Sequence, residues 1–279
     1  MAPLRGAFDD RDRWRGGSMD LVGVCLAAAA AAALTLFSGF GLGTLLLPVF
    51  ALFFPANVAV AATAVVHLAN NLFKLAMLGR YARRRIVLRF GLPAALCAFG
   101  GAWVLEQLAH LPAAGQWALA GHVHTVTPLQ LVMGGLIALF AIVELVPAFE
   151  HVQFASRWLP LGGALSGFFG GVSGHQGALR AAFLARSGLD RDAFLGTSIA
   201  CAVMVDVARL LVYSATFGRH LGHVTEHGGA RLVVAATAAA FVGSFVGTRL
   251  VKKMTLRILQ RCVGVGLLLL ALALGSGLV

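Results

Sequence analysis

Apolar residues run along the chain in long blocks separated by short polar connections. The blocks fall at roughly 20–38, 41–54, 57–79, 86–109, 128–148, 158–171, 176–187, 193–217, 230–251 and 256–277. A helix needs about 20 apolar residues, with a range of about 17–25, to cross the hydrocarbon of a bilayer. Most blocks reach that length. Three of them, 41–54, 158–171 and 176–187, are too short to span comfortably. Short, glycine-interrupted segments at corresponding places in two halves of a chain point to the binding site of a carrier.

The halves do correspond. "SGFGLGTLLLPVFALFFPANVAVAATAVVHLANNLFK" gives a glycine break, a short helix, a turn and a long helix. "SGFFGGVSGHQGALRAAFLARSGLDRDAFLGTSIACAVMVDVAR" repeats that plan, with Thr197 standing where Thr63 stands in the first copy. The pattern predicts an all-α, polytopic membrane bundle. A polar segment, 1–19, precedes a first membrane repeat, 20–148, and a second, 149–279. Each repeat is expected to hold a broken-helix hairpin followed by three transmembrane helices.

Charge fixes the expected orientation. The densest basic clusters are "RYARRRIVLR", 80–89, and Arg249 through Arg261, with Lys252, Lys253 and Arg257 between. Basic connections favour the cytoplasmic side. Four spanning blocks lie between the two clusters, so 158–187 must enter and return without a net crossing. Applied to both halves, this makes the second repeat upside down relative to the first. Both termini, the loop 106–127 and the His-rich loop 218–230 are then outside.

Composition agrees. The chain is 59% hydrophobic and 12% charged, against about 45–50% and about 25% in soluble domains. A formal charge of +11 would suit nucleic acid, but the basic residues sit in short connections where membrane topology explains them. The four cysteines, Cys25, Cys97, Cys201 and Cys262, stand singly in apolar blocks and form no disulfide framework. A cleaved signal peptide fits poorly, because the leader carries four Asp and its apolar run leads straight into a glycine break.

The candidate chemistry gathers at the breaks and on two long helices. "GFGLG", 39–43, and "GFFGG", 167–171, each contain GxxxG, which close helix packing alone would explain. Ser173, His175 and Gln176 add polar groups that packing does not need. A helix starting near Gly174 would aim free N–H groups and a positive dipole end at the opening. With Gly41 and Gly43 from the first break, this makes a cradle for an anion. On 57–79, Thr63, His67, Asn70 or Asn71, and Lys74 share one helical face. On 193–217, Asp206, Arg209 and Tyr213 share another, with Thr197 and Ser198 a few turns earlier.

Ionisable residues inside a membrane are costly and point to function. Bland alternatives exist for each. Asp206 and Arg209 could be a self-neutralising pair at i, i+3, and Lys74 could snorkel toward the nearby surface. Arg180, one to two turns after the second break, offers a rigid fork for an oxyanion. His67, His175 or Asp206 could carry a coupling proton.

Taken together, the two glycine breaks, the "ATA" and "GTS" elements opening the next helix, "VHLANNLFK" and "GGVSGHQGALRAAFL" resemble the TauE/SafE family of sulfite and organosulfonate exporters, over about residues 20–277. The resemblance implies a multi-pass bacterial inner-membrane secondary carrier that moves a small anion outward. This chain departs from the family pattern where its second half offers Met204, Val205 and Asp206 opposite Asn70 and Asn71.

The expected substrate-binding set is Gly41, Gly43, Thr63, His67, Asn70, Asn71, Gly174, His175, Gln176, Arg180, Thr197, Ser198, Asp206 and Arg209. No catalytic residue, resident metal or cofactor is expected. The partners are the bilayer, a small anion and protons as coupling ion; oligomeric state is not legible. A divalent-cation carrier would use the outer histidines, His122, His124, His220, His223 and His227. An intramembrane enzyme or assembly factor would need a nucleophile–base pair, and there is no HExxH, Walker A or GxSxG.

Overall fold

The computed structural model describes residues 18–38, 42–51, 54, 56–119, 122–146, 152–226, 229–250 and 256–278. These residues are mostly helical. The first five helices are α1 (Ser18–Ser38), α2 (Leu42–Ala51), α3 (Ala56–Leu78), α4 (Arg84–Ala109) and α5 (Pro128–Leu145). The second five are α6 (Leu159–Ser173), α7 (Gly177–Leu184), α8 (Arg191–Glu226), α9 (Gly229–Leu250) and α10 (Leu256–Gly275). Among the described residues, four segments are long and apolar enough to cross a membrane: Val58–Tyr81, Arg84–Ala109, Arg191–Ala215 and Ala230–Gly247. The short block 158–187 becomes α6 and α7, broken at Gly174 as the pattern predicted.

Local sequence sets several of these boundaries. Asp190 caps α8, its carboxylate accepting the Ala193 N–H at 2.8 Å. Thr127 and Gln130 form a reciprocal capping box at the start of α5, with Pro128 beside it. In α4 the turn Val87–Gly91 widens to a π-helix just before Pro93. Pro93 withholds an N–H from the carbonyl four residues back, and the wider turn accommodates the loss.

Helix α4 shows how the bundle meets lipid. Leu88, Leu92, Leu96, Phe99 and Trp103 are exposed along one stripe, while Phe90, Ala94, Ala98, Ala102 and Leu105 are buried on the other. Large apolar residues face outward and mostly small ones face protein. This is the membrane arrangement, in which helices associate by close packing because lipid is as apolar as the core. The closest seam pairs α4 with α6. A Cβ at Gly163, Gly167 or Gly171 would collide with the carbonyls of Phe90, Ala94 or Ala98 respectively. The seam between α9 and α1 has the same character: Gly243 and Gly247 lie against the Ala29 and Ala33 backbone. Elsewhere α5 packs on α10, and α8 packs on both α3 and α4.

Two connections differ from the sequence expectation. The loop 106–127 contains an antiparallel hairpin, β1 (Gly115–Leu119) paired with β2 (His122–Val126). Its Trp117 indole donates to the Ser276 carbonyl at 2.6 Å, tying the hairpin to the end of α10. The expected His-rich loop 218–230 is helical through Glu226, because α8 continues past its apolar block. His227 and residues 251–255 of the second basic cluster lie outside the described residues.

Candidate functional site

The polar face of α3 points into the bundle. Thr63, His67, Asn70, Asn71 and Lys74 are all buried, while Val65 and Leu72 on the other side are exposed. On α8, Thr197, Asp206, Arg209 and Tyr213 are buried, and Val207 and Leu211 are exposed. Because α3 and α8 pack together, the two polar faces meet. The broken segment supplies the third side. Gly174 ends α6 in the left-handed region, at φ 79°, with its N–H on the Gly170 carbonyl at 3.0 Å. That conformation suits glycine, and it turns Gln176 and Arg180 back toward α8.

At the centre lies Asp206, with no exposed surface. Its Oδ2 accepts from His67 Nδ1 at 2.7 Å and from Asn71 Nδ2 at 2.9 Å. Its Oδ1 accepts from Arg209 Nη2 at 2.7 Å and from Gln176 Nε2 at 3.3 Å. Four donors fill the four acceptor positions that an ionised carboxylate offers. The geometry therefore holds Asp206 as a carboxylate; a proton there would displace one of the four bonds.

The same set fixes its neighbours. Gln176 Oε1 accepts from Arg180 Nη1 at 2.9 Å while its Nε2 donates to Asp206. The reversed amide would face like with like at both ends. Arg180 Nε in turn donates to Ser198 Oγ at 2.7 Å. A continuous chain of bonds thus runs from Ser198 through Arg180, Gln176 and Asp206 to His67.

Helix α8 also caps the end of α6. The last carbonyls of a helix lack intrahelical donors and carry partial negative charge. Arg209 Nη1 reaches the Gly170 carbonyl at 3.4 Å, and the Tyr213 hydroxyl donates to the Gly171 carbonyl. Arg209 is thus committed to Asp206 and to α6, the self-neutralising pair that its i, i+3 spacing allows.

The remaining expected residues divide. Asn70 turns away toward α9, where the Ser244 hydroxyl donates to its Oδ1 at 2.7 Å. His175 lies apart from the Asp206 cluster. Its Nδ1 is 3.0 Å from the Ser173 carbonyl, and its ring stacks on Phe140 of α5 with centroids 5.6 Å apart. Thr197 accepts the Arg83 N–H at 3.0 Å and so ties α8 to the basic loop. Thr63 Oγ1 is buried without a hydrogen bond. Gly43 falls in the first turn of α2, and Gly41 lies outside the described residues. The glycines of "GFFGG" serve mainly the α4 seam, which leaves Gly174 as the glycine that makes the break.

Three nitrogens around the cluster remain open. Lys74 Nζ, Arg180 Nη2 and His67 Nε2 make no hydrogen bond to a described residue, and none is fully sealed by protein. The Arg180 charge acts on both Lys74 and His67. Sequence reasoning missed Ser244, Ser166 and Phe140. They lie in small-residue or apolar stretches with no polar neighbour to mark them. Ser166 Oγ donates to the Gln176 carbonyl at 3.0 Å and steadies the break. No group of three or more His, Cys, Asp or Glu side chains that could hold a metal occurs among the described residues.

Apolar helices with lipid-facing exteriors, enclosing a hydrogen-bonded polar network at mid-span, define a multi-pass membrane transporter. The chain belongs to the sulfite exporter TauE/SafE family, whose family model matches residues 24–274. Members of that family are transporters rather than enzymes, and the sequence resemblance is borne out. No curated protein and no solved structure matches the chain.

Proposed function

We propose that this chain is a secondary carrier that exports a small oxyanion, sulfite or an organosulfonate, across the bacterial inner membrane in exchange with or accompanied by protons. The observation that carries the reading is the charge balance of the buried cluster. Among the described residues, Lys74, Arg180 and Arg209 are buried with a single acid, Asp206. Arg209 and Asp206 cancel. Lys74 and Arg180 are left as two buried cations, and buried charge without a partner is costly. A bound oxyanion removes that cost. Arg180 would offer its guanidinium edge and Lys74 its ammonium, with Ser198, Asn71 and the first turn of α7 beside them.

The carrier reading also takes the chain as two repeats, 20–148 and 149–279, of opposite orientation. The shared five-helix order and the reciprocal pairing of α4 with α6 and of α1 with α9 support it. Transport would then proceed by rocking one repeat against the other around the fixed site.

The test is thermal-shift screening of purified protein with sulfite, sulfate, sulfoacetate, taurine and simple carboxylates, followed by flux in proteoliposomes. A ligand that binds the folded state alone raises its melting temperature. Lys74→Ala and Arg180→Gln are each expected to weaken oxyanion binding by at least about tenfold, the loss of one charge-assisted contact. Stabilisation by none of these anions, or undiminished affinity in both variants, would refute the reading.

A further inference from the structure

We infer that His67 is the proton-carrying group of this site, taking and releasing its proton at Nε2 while Nδ1–H stays bonded to Asp206. The inference rests on the oxyanion-carrier reading above and names the group through which protons would be linked to the anion.

Three geometric facts select His67. Asp206 already accepts four hydrogen bonds, so a proton on it would break one. Asn71 Nδ2 and Gln176 Nε2 can only donate toward that carboxylate, which leaves Asp206 no vacant lone pair. His67 Nδ1, at 2.7 Å from Oδ2, must therefore carry hydrogen. The Asn71 amide, 3.1 Å from that same nitrogen, then directs its own hydrogen to the carboxylate. The tautomer is fixed, and the lone pair of the neutral ring is on Nε2. That nitrogen makes no hydrogen bond to a described residue and is not fully sealed by protein. His67 also lies near the middle of the Val58–Tyr81 span, within reach of either side as the bundle rocks.

His175 does not fill this role. Its Nε2 is buried with no hydrogen-bond partner, and its ring is stacked on Phe140. It has neither a carboxylate to stabilise an imidazolium nor an open nitrogen.

The proton step is a simple transfer. A proton from water on one side forms a bond to the Nε2 lone pair. The ring becomes an imidazolium whose Nδ1–H still faces the Asp206 carboxylate. The same N–H bond breaks when the proton leaves to water on the other side. The charged groups that face His67 are Asp206 and Arg209 from α8, Arg180 from α7 and Lys74 on its own helix. Helix α2 carries no ionisable side chain, and α9 presents Ser244 to this region. Protonation adds positive charge to a site that binds an anion, so proton and anion favour each other's binding. Such linkage is reciprocal.

The experiment uses sulfoacetate as probe, because its two charges change little between about pH 5.5 and about pH 8, within the range where an imidazole titrates. Its dissociation constant is measured across that range on purified wild-type protein and on His67→Gln, which keeps a donor toward Asp206. The wild-type constant is expected to rise by at least about fivefold toward high pH, and that of the variant by less than about twofold. Titration of the unbuffered wild-type protein is expected to show proton uptake as sulfoacetate binds, and none in the variant.

A flat profile in the wild type overturns the inference while leaving an anion carrier in place. An equal profile in the variant also overturns it, because the proton would then be on another group such as Lys74. If no oxyanion binds at any pH, the carrier reading itself falls, and this inference with it. Should His67→Gln not fold, histidine-selective nitrogen NMR of the wild type decides. One ring must keep Nδ1 protonated while its Nε2 titrates at a pH that sulfoacetate shifts, and absence of such a ring overturns the proposal.

Discussion

Replacing Asp206 by Asn removes one charge and leaves the shape nearly unchanged, so it isolates the electrostatic role of this carboxylate. Asp206 accepts from His67, Asn71, Gln176 and Arg209. An amide keeps one acceptor oxygen and turns two N–H bonds toward donors. It also leaves the Arg209 guanidinium, with no exposed surface, as an uncompensated buried charge. Breaking a buried pair by removing one partner costs about 3–5 kcal/mol. At about 2–4 °C per kcal/mol for a chain of this size, Asp206→Asn should lower the melting temperature by on the order of 10 °C.

Adding Arg209→Met to Asp206→Asn removes the stranded cation. The amide can then accept from Gln176 and donate to His67 Nδ1 in its other tautomer. The Gly170 carbonyl keeps its bond from the Gly174 N–H. The double variant should regain at least half of the lost stability, a coupling that a double-mutant cycle reads directly. The assay is thermal unfolding of purified protein in one detergent, with all four proteins at matched concentration. A single variant melting within about 2 °C of wild type would refute the reasoning. So would a double variant that melts as low as the two single losses added together.

The seam between α4 and α6 gives a sharper contrast within one contact region. Gly167→Val would drive a Cβ into the Ala94 carbonyl; backbone cannot step aside, so the cost should reach or exceed the upper end of about 1–3 kcal/mol for overpacking. Gly100→Ala, on the open side of α4 with nothing near it, should be neutral or stabilise by up to about 1 kcal/mol; melting curves of the two variants check both. For orientation, single cysteines at Arg84 and Lys252 should react with an impermeant thiol reagent from the cytoplasmic side only. Labelling of the two from opposite faces would refute the opposed-repeat arrangement.

Much of the architecture was legible because spanning helices announce themselves by length and apolarity. The break at Gly174 was legible because polar residues cluster there inside an apolar block. The inward face of α3 could be read from the spacing of Thr63, His67, Asn71 and Lys74. Partner choice could not. Asn70 and Asn71 are adjacent in sequence, yet a 100° step per residue sends one to Ser244 and the other to Asp206. The hairpin at 115–126 was missed because it lies outside the apolar blocks, in a connection with no hydropathy signal of its own. The helical end of α8 was missed because hydropathy ends before the helix does. The glycines of "GFFGG" carry a dual signal, and only the register of Gly167 and Gly171 against Ala94 and Ala98 shows that packing claims most of them.

The placement of one acid among three bases has a directional consequence beyond charge. Cations alone would draw an anion but would not hold one another in place, since like charges repel and long side chains are mobile. Asp206 resolves this by fixing three partners at once. It holds Arg209 against the end of α6, sets the tautomer of His67, and orients Gln176 so that its carbonyl positions Arg180. Its own charge is spent on Arg209, so it does not oppose an incoming anion with an uncompensated negative field. In the proposed anion site, this carboxylate is therefore what aligns the cations around it. Lys74, which makes no such bond, is in that proposal the base left to adjust to a bound anion.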